Sequence, residues 1–299
     1  MSSATGSTVP RRQLGRLLRE QRERAGISMK DAYEFMECSY QRLWRLESGE
    51  PGVTVRATEL RSLCDWYQVS PDMTKVLIDL AKAAKEEGWW QSYRDATVRW
   101  SELYFGLEAG ASRIRQFSPT MVPGLLQSHA YIEAVYRAER PVVPEDKIAP
   151  RVQAKRERQR LLTRTFPAAP QLEVILSEAV LRMELDIPGA MQQQLFHLLE
   201  ASDRPNVSVR VLPLAAGLHP ASVSGDFVIL EFPPLAGGKD AEPATVYSEG
   251  LTGALYLDKQ QELAVYEEVW TELANITLDE GHSIEMITAI LKSVGERRS

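Results

Sequence analysis

Tyr40, Gln41, Arg42, Trp44 and Arg45 lie at the start and on the outer face of one short helical stretch, which Ser39 is placed to cap. Their chemistry is that of base-pair and phosphate recognition. Glutamine pairs bidentately with adenine N6 and N7, arginine with guanine O6 and N7, and tyrosine bonds phosphate or packs on a thymine methyl. The same residue types also make an ordinary solvated helix face, so the preceding element decides between the two. There Ser28 is an N-cap candidate with Asp31 three residues on, Ala32, Phe35 and Met36 form an apolar stripe, and Glu37-Cys38-Ser39 joins the two stretches. This length and turn spacing are those of a helix-turn-helix, whose second helix enters a major groove about 12 Å wide. Ser28 and Ser39 are added to the candidate DNA contacts. Arg11 and Arg12 are expected to touch phosphate without regard to sequence.

Other chemistry is harder to find. Phosphate-loop, dinucleotide-binding, zinc-protease, nucleophile-elbow and Cys-x-x-Cys motifs are all missing from the sequence, so no enzymatic activity, metal or cofactor is expected. The four histidines, His129, His197, His219 and His282, show no ligand spacing, and His197 reads as a packed helical residue. Glu178, His219 and Glu249 each adjoin a strand-like segment and could converge on a small cationic or hydroxylated ligand, or stand apart as separate surface residues. The run from Arg151 to Arg164, with Lys155, Arg156, Arg158 and Arg160, could track phosphate or form a solvated helix face.

The elements that must hold these residues begin with five short helices. The first repeats Leu14, Leu17, Leu18, Gln21 and Ala25 and stops at Gly26; before Ile27, six arginines against two glutamates leave +4 on a chain whose net charge is -6. The helix-turn-helix pair follows, the second of its helices closed by Gly49 and Pro51. A fourth, roughly Arg56 to Tyr67, buries Leu60, Leu63, Cys64 and Tyr67, and a fifth starts near Ser70-Pro71-Asp72. Helical patterns continue over Ser101–Gln116, Gly124–Arg140 and Pro144–Arg164. Strand patterns then cover Leu172–Leu176, Val207–Leu212, Phe227–Phe232 and Thr245–Tyr247, with helices over Pro188–Ala201, Lys259–Asn275 and Ser283–Val294. The loop Pro233–Pro243 is rich in glycine and proline.

The expected architecture is therefore multidomain: an all-α five-helix head followed by an α+β region with about four or five strands. Its divisions are a disordered arm over residues 1–11, a helix-turn-helix domain over 12–88, an aromatic joint over 89–105, and a regulatory and dimerisation domain over 106–299. Two cysteines, a polar amino terminus and the lack of an 18-residue apolar run point to a cytoplasmic protein.

Two sets of residues add a family likeness. Arg22-x-x-x-Gly26-Ile27-Ser28 and Ser39-Tyr40-Gln41-Arg42-Leu43-Trp44-Arg45-Leu46-Glu47-Ser48-Gly49 resemble the Xre, or phage-repressor-like, helix-turn-helix family over about residues 12 to 84. The resemblance implies a sequence-specific transcriptional regulator in which Arg22 and Glu47 form a structural ion pair. Three departures stand out: Met29 replaces a usual glutamine and cannot donate to phosphate, while Tyr33 and Trp44 replace small residues and crowd the groove-facing surface. Further on, Glu108-x-x-Ala111-Ser112-Arg113-Ile114-Arg115, Val122-Pro123-Gly124-Leu125-Leu126-Gln127 and Leu176-Ser177-Glu178-Ala179 are similar to actinomycete Xre regulators with a shared C-terminal domain of undefined function, described as antitoxin-like. That likeness spans about residues 99 to 290. It implies a small partner protein encoded nearby, while the few base pairs that one short recognition helix can read lead to the expectation of a homodimer on an inverted DNA repeat. The competing expectation is an antitoxin-like protein-interaction module in which DNA binding is secondary or lost.

Overall fold

The computed structural model describes residues 8–50, 52–84, 99–139, 142–233, 243–250 and 253–296. The chain divides into two compact units. The first comprises residues 1–107 with 250–258, and the second 108–249 with 259–299.

Five helices build the head of the first unit: α1 (Thr8–Arg24), α2 (Met29–Phe35), α3 (Tyr40–Glu47), α4 (Ala57–Trp66) and α5 (Pro71–Ala83). Serines at 28, 39 and 70 start α2, α3 and α5, each accepting a backbone N–H from three residues on. The first four helices all end on a residue in the left-handed region: Gly26 (φ 68°), Glu37 (φ 49°), Gly49 (φ 65°) and Gln68 (φ 56°). In each case the next residue's N–H returns to a carbonyl five residues back, as in Ile27 to Arg22 (3.1 Å) and Cys38 to Tyr33 (3.0 Å). These abrupt stops fold the helices over a core of Leu14, Leu18, Leu43, Leu46, Leu60, Leu63 and Leu77, all buried. Helix α1 lies directly on the end of α3. A Cβ at Gly15 would stand 2.5 Å from the Leu46 carbonyl oxygen, and one at Gly49 would stand 2.5 Å from Arg12 Cα.

Helix α6 (Arg99–Gly110) leads to a sheet of six strands in the order β3-β2-β1-β4-β5-β6. They are β1 (Arg113–Ser118), β2 (Gln171–Ser177), β3 (Val207–Leu212), β4 (Phe227–Glu231), β5 (Thr245–Gly250) and β6 (Gly253–Leu257), the last falling by its contacts within the first unit. Strands β1, β2 and β3 are parallel, whereas β4 runs antiparallel to both β1 and β5. The parallel pairs require crossovers. Helices α7 (His129–Ala138) and α8 (Glu145–Gln159) lie between β1 and β2, and α9 (Glu178–Leu181) and α10 (Ala190–Ser202) between β2 and β3. The short α11 (Ala221–Ser224) precedes β4, and α12 (Gln260–Ile276) and α13 (Glu280–Glu296) close the chain. The all-α head and α+β architecture expected from the sequence are present.

Several boundaries differ from expectation. The helix expected through Gln116 stops at Gly110, and Arg113–Ser118 forms the strand β1. Its charges conceal the strand pattern because they are paired: Arg113 reaches Glu173 (2.6 Å), while buried Arg115 engages Glu231 (2.8 Å) and Glu267. The helix expected over Gly124–Arg140 is broken into a 3-10 turn at Gly124–Leu126 and α7, because Ser128 restarts it by accepting the Tyr131 N–H. Strand β6 raises the count to six. Residues 8–11 of the expected disordered arm belong to α1, with residues 1–7 outside the described residues. The expected aromatic joint lies outside them from residue 89 to 98, and the loop Pro233–Pro243 from 234 to 242.

Candidate nucleic-acid interface

The geometry of α3 follows from its caps and its buried side. Ser39 adopts φ -75° and ψ 151°, and its Oγ accepts the Arg42 N–H at 3.2 Å. Leu43 and Leu46 turn inward, 1% and 3% exposed, so helical spacing sends Tyr40 and Gln41 outward, with Tyr40 54% exposed. Arg42, Trp44 and Arg45 flank them, each half-buried. Helix α2 is fixed in front of this face by Ser28, whose Oγ accepts the Asp31 N–H (3.1 Å) and donates to Asp31 Oδ2 (2.6 Å). Both serine hydroxyls are thus engaged as caps.

The arginines on α3 already hold carboxylates. Arg42 Nη2 lies 3.3 Å from Glu59 Oε1 and donates to the Thr54 carbonyl (3.4 Å), linking α3 to the start of α4. Glu59 in turn accepts the Arg56 N–H at 2.8 Å, and that bond, ahead of Arg42, holds its carboxyl below the usual range. Arg45 Nε meets Glu50 Oε2 at 3.3 Å. Both pairs are about a third or more exposed and are worth at most about 1 kcal/mol each, so a phosphate or base edge can displace them. The partners Glu50 and Glu59 escaped sequence reading, although Glu59 occupies the third position of α4, where a carboxylate regularly turns back on the chain. Tyr40 stands edge-on to Tyr33, with ring centroids 6.3 Å apart, and Met29 is half-buried at the start of α2.

Behind this surface Arg22 and Glu47 meet in a two-pronged ion pair. Nε donates to Oε1 at 2.7 Å and Nη2 to Oε2 at 2.9 Å, while Nη1 reaches the Ile27 carbonyl at 3.0 Å. The side chains are 8% and 3% exposed, and the hydrogen bonds that Arg22 donates to Glu47 raise the Arg22 pKa despite its burial. The pair ties α1, the entry to α2 and the end of α3 together.

Arg11 and Arg12 stand elsewhere than expected. They are 8% and 6% exposed, Arg11 Nε donates to the Gly49 carbonyl at 2.8 Å, and Arg12 Nη1 lies 3.3 Å from Asp258. Burial lowers the Arg11 pKa. Because α1 begins before them, these guanidinium groups are engaged within the first unit, where they pack and cap its helices.

The expected trio in the second unit is spread over separate partners. Glu178 accepts the Leu214 N–H (2.9 Å) and pairs with Arg182 (2.7 Å), contacts that hold its carboxyl below the usual range. His219 sets its ring edge-on to Phe117 at 5.7 Å, and Glu249 is exposed and accepts the Tyr247 hydroxyl at 2.8 Å. Each carboxylate has a local structural explanation. Among the described residues, no group of three His, Cys, Asp or Glu could hold a metal ion, and no helix is long and apolar enough to cross a membrane. Cys38 and Cys64 are free thiols, the latter buried and raised in pKa by that burial.

Comparison with known families gives two matches. A model described as a helix-turn-helix domain covers residues 13–77, and one described as a domain of unknown function, DUF5753, covers residues 101–289. No curated protein and no solved structure matches the chain.

Proposed function

We propose, for a chain that belongs to the DUF5753 family and carries a helix-turn-helix domain ahead of that region, that it is a sequence-specific DNA-binding transcriptional regulator of the Xre type. The observation that carries the reading is α3 itself. A serine-capped helix of eight residues turns its leucines inward and offers Tyr40 and Gln41 outward, with Arg42, Trp44 and Arg45 at their sides. In this reading Gln41 and Arg45 read base edges, Tyr40 and the turn at Ser39 approach phosphate, and Ser28 brings the start of α2 to the backbone. Arg42 and Trp44 frame the surface. No catalytic step, metal or cofactor enters this function.

A helix this short reads only a few base pairs, so the reading includes a two-fold dimer on an inverted repeat, with half-site centres about 10 base pairs apart or a multiple of that. In this reading the second unit supplies dimerisation and, being far larger than a dimerisation element alone requires, also receives a ligand or a small partner protein. An effector then acts through unequal affinity for DNA-competent and incompetent states, a coupling of about 1–3 kcal/mol. Selection of duplexes from a random pool by the full chain, followed by footprinting, tests the whole reading. An enriched two-fold site protected at low protein concentration supports it, and a pool without enrichment rejects it.

A second reading draws on the same face. The pairing of Arg42 and Arg45 with Glu59 and Glu50, and the aromatic crowding by Tyr33 and Trp44, would suit a protein partner in place of DNA. An antitoxin-like interaction module of this kind would capture its partner without any preference among duplexes.

A further inference from the structure

In the second unit a cavity of about 320 Å³ opens between α8 and α10. Leu125, Leu126, Leu162 and Ala201 pack behind its surface, all buried, and its accessible lining is mainly polar. Around it stand three guanidinium groups: Arg156 on α8, Arg160 one helical turn further on, and Arg204 just beyond α10. Elsewhere on α8 the arginines have carboxylates, Arg151 with Glu139 at 3.3 Å and Arg158 with Glu108 at 3.0 Å. Arg156, Arg160 and Arg204 have neither a carboxylate nor a carbonyl side-chain partner among the described residues. Glu157 is the one acidic residue lining the cavity, and it accepts a hydrogen bond from Gln153 at 3.0 Å. Gln159 is held by the carbonyls of Gly124 (2.9 Å) and Gln127 (2.8 Å), which fixes one wall.

Arg156 and Arg160 are exposed at the mouth of the cavity and Arg204 is half-buried, and with Glu157 as the one carboxylate in the lining the cavity keeps an excess of positive charge that an anion would offset. Guanidinium forks match the oxygens of phosphate and carboxylate two at a time. We propose that this cavity binds a small molecule with a doubly negative group, a phosphate monoester or a dicarboxylate, held by Arg156, Arg160 and Arg204. The volume falls in the usual range of small-molecule sites. His197, half-buried in the same lining, adds an internal reporter: burial lowers its pKa, Glu200 opposes that, and Arg204 and Arg156 add smaller lowering effects. A bound dianion opposes the arginine effect and moves the ring titration to higher pH, in a setting that also includes Arg160, Glu157 and, in the adjoining cavity, His129.

The test is calorimetric titration of the full chain with phenyl phosphate, beside phenol, inorganic phosphate and phthalate at one ionic strength. Saturable binding of phenyl phosphate, at least tenfold tighter than phenol, is the expected result; the phthalate arm tells phosphate from carboxylate preference. Arg156→Gln with Arg160→Gln should weaken it tenfold or more, while Arg182→Gln, outside the cavity lining and paired with Glu178, should change it less than twofold. If the double variant does not fold, Arg160→Gln and Arg204→Gln as single changes should each give at least a threefold loss. An unsaturable titration, an equal loss in Arg182→Gln, or a His197 titration that phenyl phosphate leaves in place overturns the proposal. So does a groove that binds duplex DNA through the same arginines while ignoring phenyl phosphate.

Discussion

Replacing Glu47 by alanine removes both strong hydrogen bonds of the Arg22 guanidinium, at 2.7 and 2.9 Å, from a position where the arginine side chain is 8% exposed. The Ile27 carbonyl at 3.0 Å remains, as does Glu23 at 3.8 Å, itself half exposed and therefore a weak substitute. A surface pair would cost at most about 1 kcal/mol, but a buried pair broken on one side strands a charge and costs about 3–5 kcal/mol. Against a typical domain stability of about 5–15 kcal/mol, that is a large share of what holds the first unit together. Urea unfolding of the full chain, followed by tryptophan fluorescence and circular dichroism, gives the loss as a shift of the first unit's transition. A second variant separates stranding from packing: Arg22→Met with Glu47→Leu removes both charges and should recover most of the loss. A loss under about 1 kcal/mol in Glu47→Ala, with altered base preference, would refute the structural assignment and place Glu47 toward DNA.

Gly15→Ala should destabilise by about 1–3 kcal/mol despite the better helix propensity of alanine, because its Cβ would stand 2.5 and 2.6 Å from the Leu46 and Glu47 carbonyl oxygens; equal melting temperatures would refute the close helix contact. Glu37→Gly should stabilise by about 0.5–1 kcal/mol, since a non-glycine residue at φ 49° costs about 1–2 kcal/mol and the entropy of glycine returns only part of it. A lower urea midpoint in that variant would contradict the assigned turn. Burial pushes the Lys155 amine down to about 8, although its Nζ donates to Gln127 Oε1 at 3.0 Å and lies over the Tyr136 ring. The folded pKa is below the unfolded one, near 10.4, so the unfolded chain binds more protons between these values and the Lys155 contribution to stability rises with pH there. Relative to Lys155→Met, the native chain should therefore gain stability from pH 8 to 10; a constant difference would refute the burial effect.

The head was legible because each signal is local. Serine caps at 28, 39 and 70, glycine stops at 26 and 49, and leucines at helical spacing all act within a few residues. The stops at Glu37 and Gln68 carry no such mark, since their left-handed backbone is imposed by the packing of the helices around them. Strand β1 was hidden for a different reason. Arg113 and Arg115 look solvent-facing until Glu173, Glu231 and Glu267, from 60 to 152 residues away, are known to neutralise them. The burial of Arg11 and Arg12 was hidden for the same reason, because Gly49 and Asp258 lie too far along the sequence to be recognised as their acceptors. In the interface itself the exposed residues of α3 could be read from helical period, whereas the carboxylates that compete for its arginines could not.

The claim that α3 reads sequence is tested most directly by measuring Gln41→Ala on two duplexes, the selected site and a scrambled one, over a range of salt. Gln41 is exposed and lies opposite the buried leucines, so the substitution leaves the fold intact. A base reader lost from this position should cost about 1–3 kcal/mol on the selected site and almost nothing on scrambled DNA, with the salt slope unchanged. Equal weakening on both duplexes, or no preference in the native chain at any salt, would contradict the account.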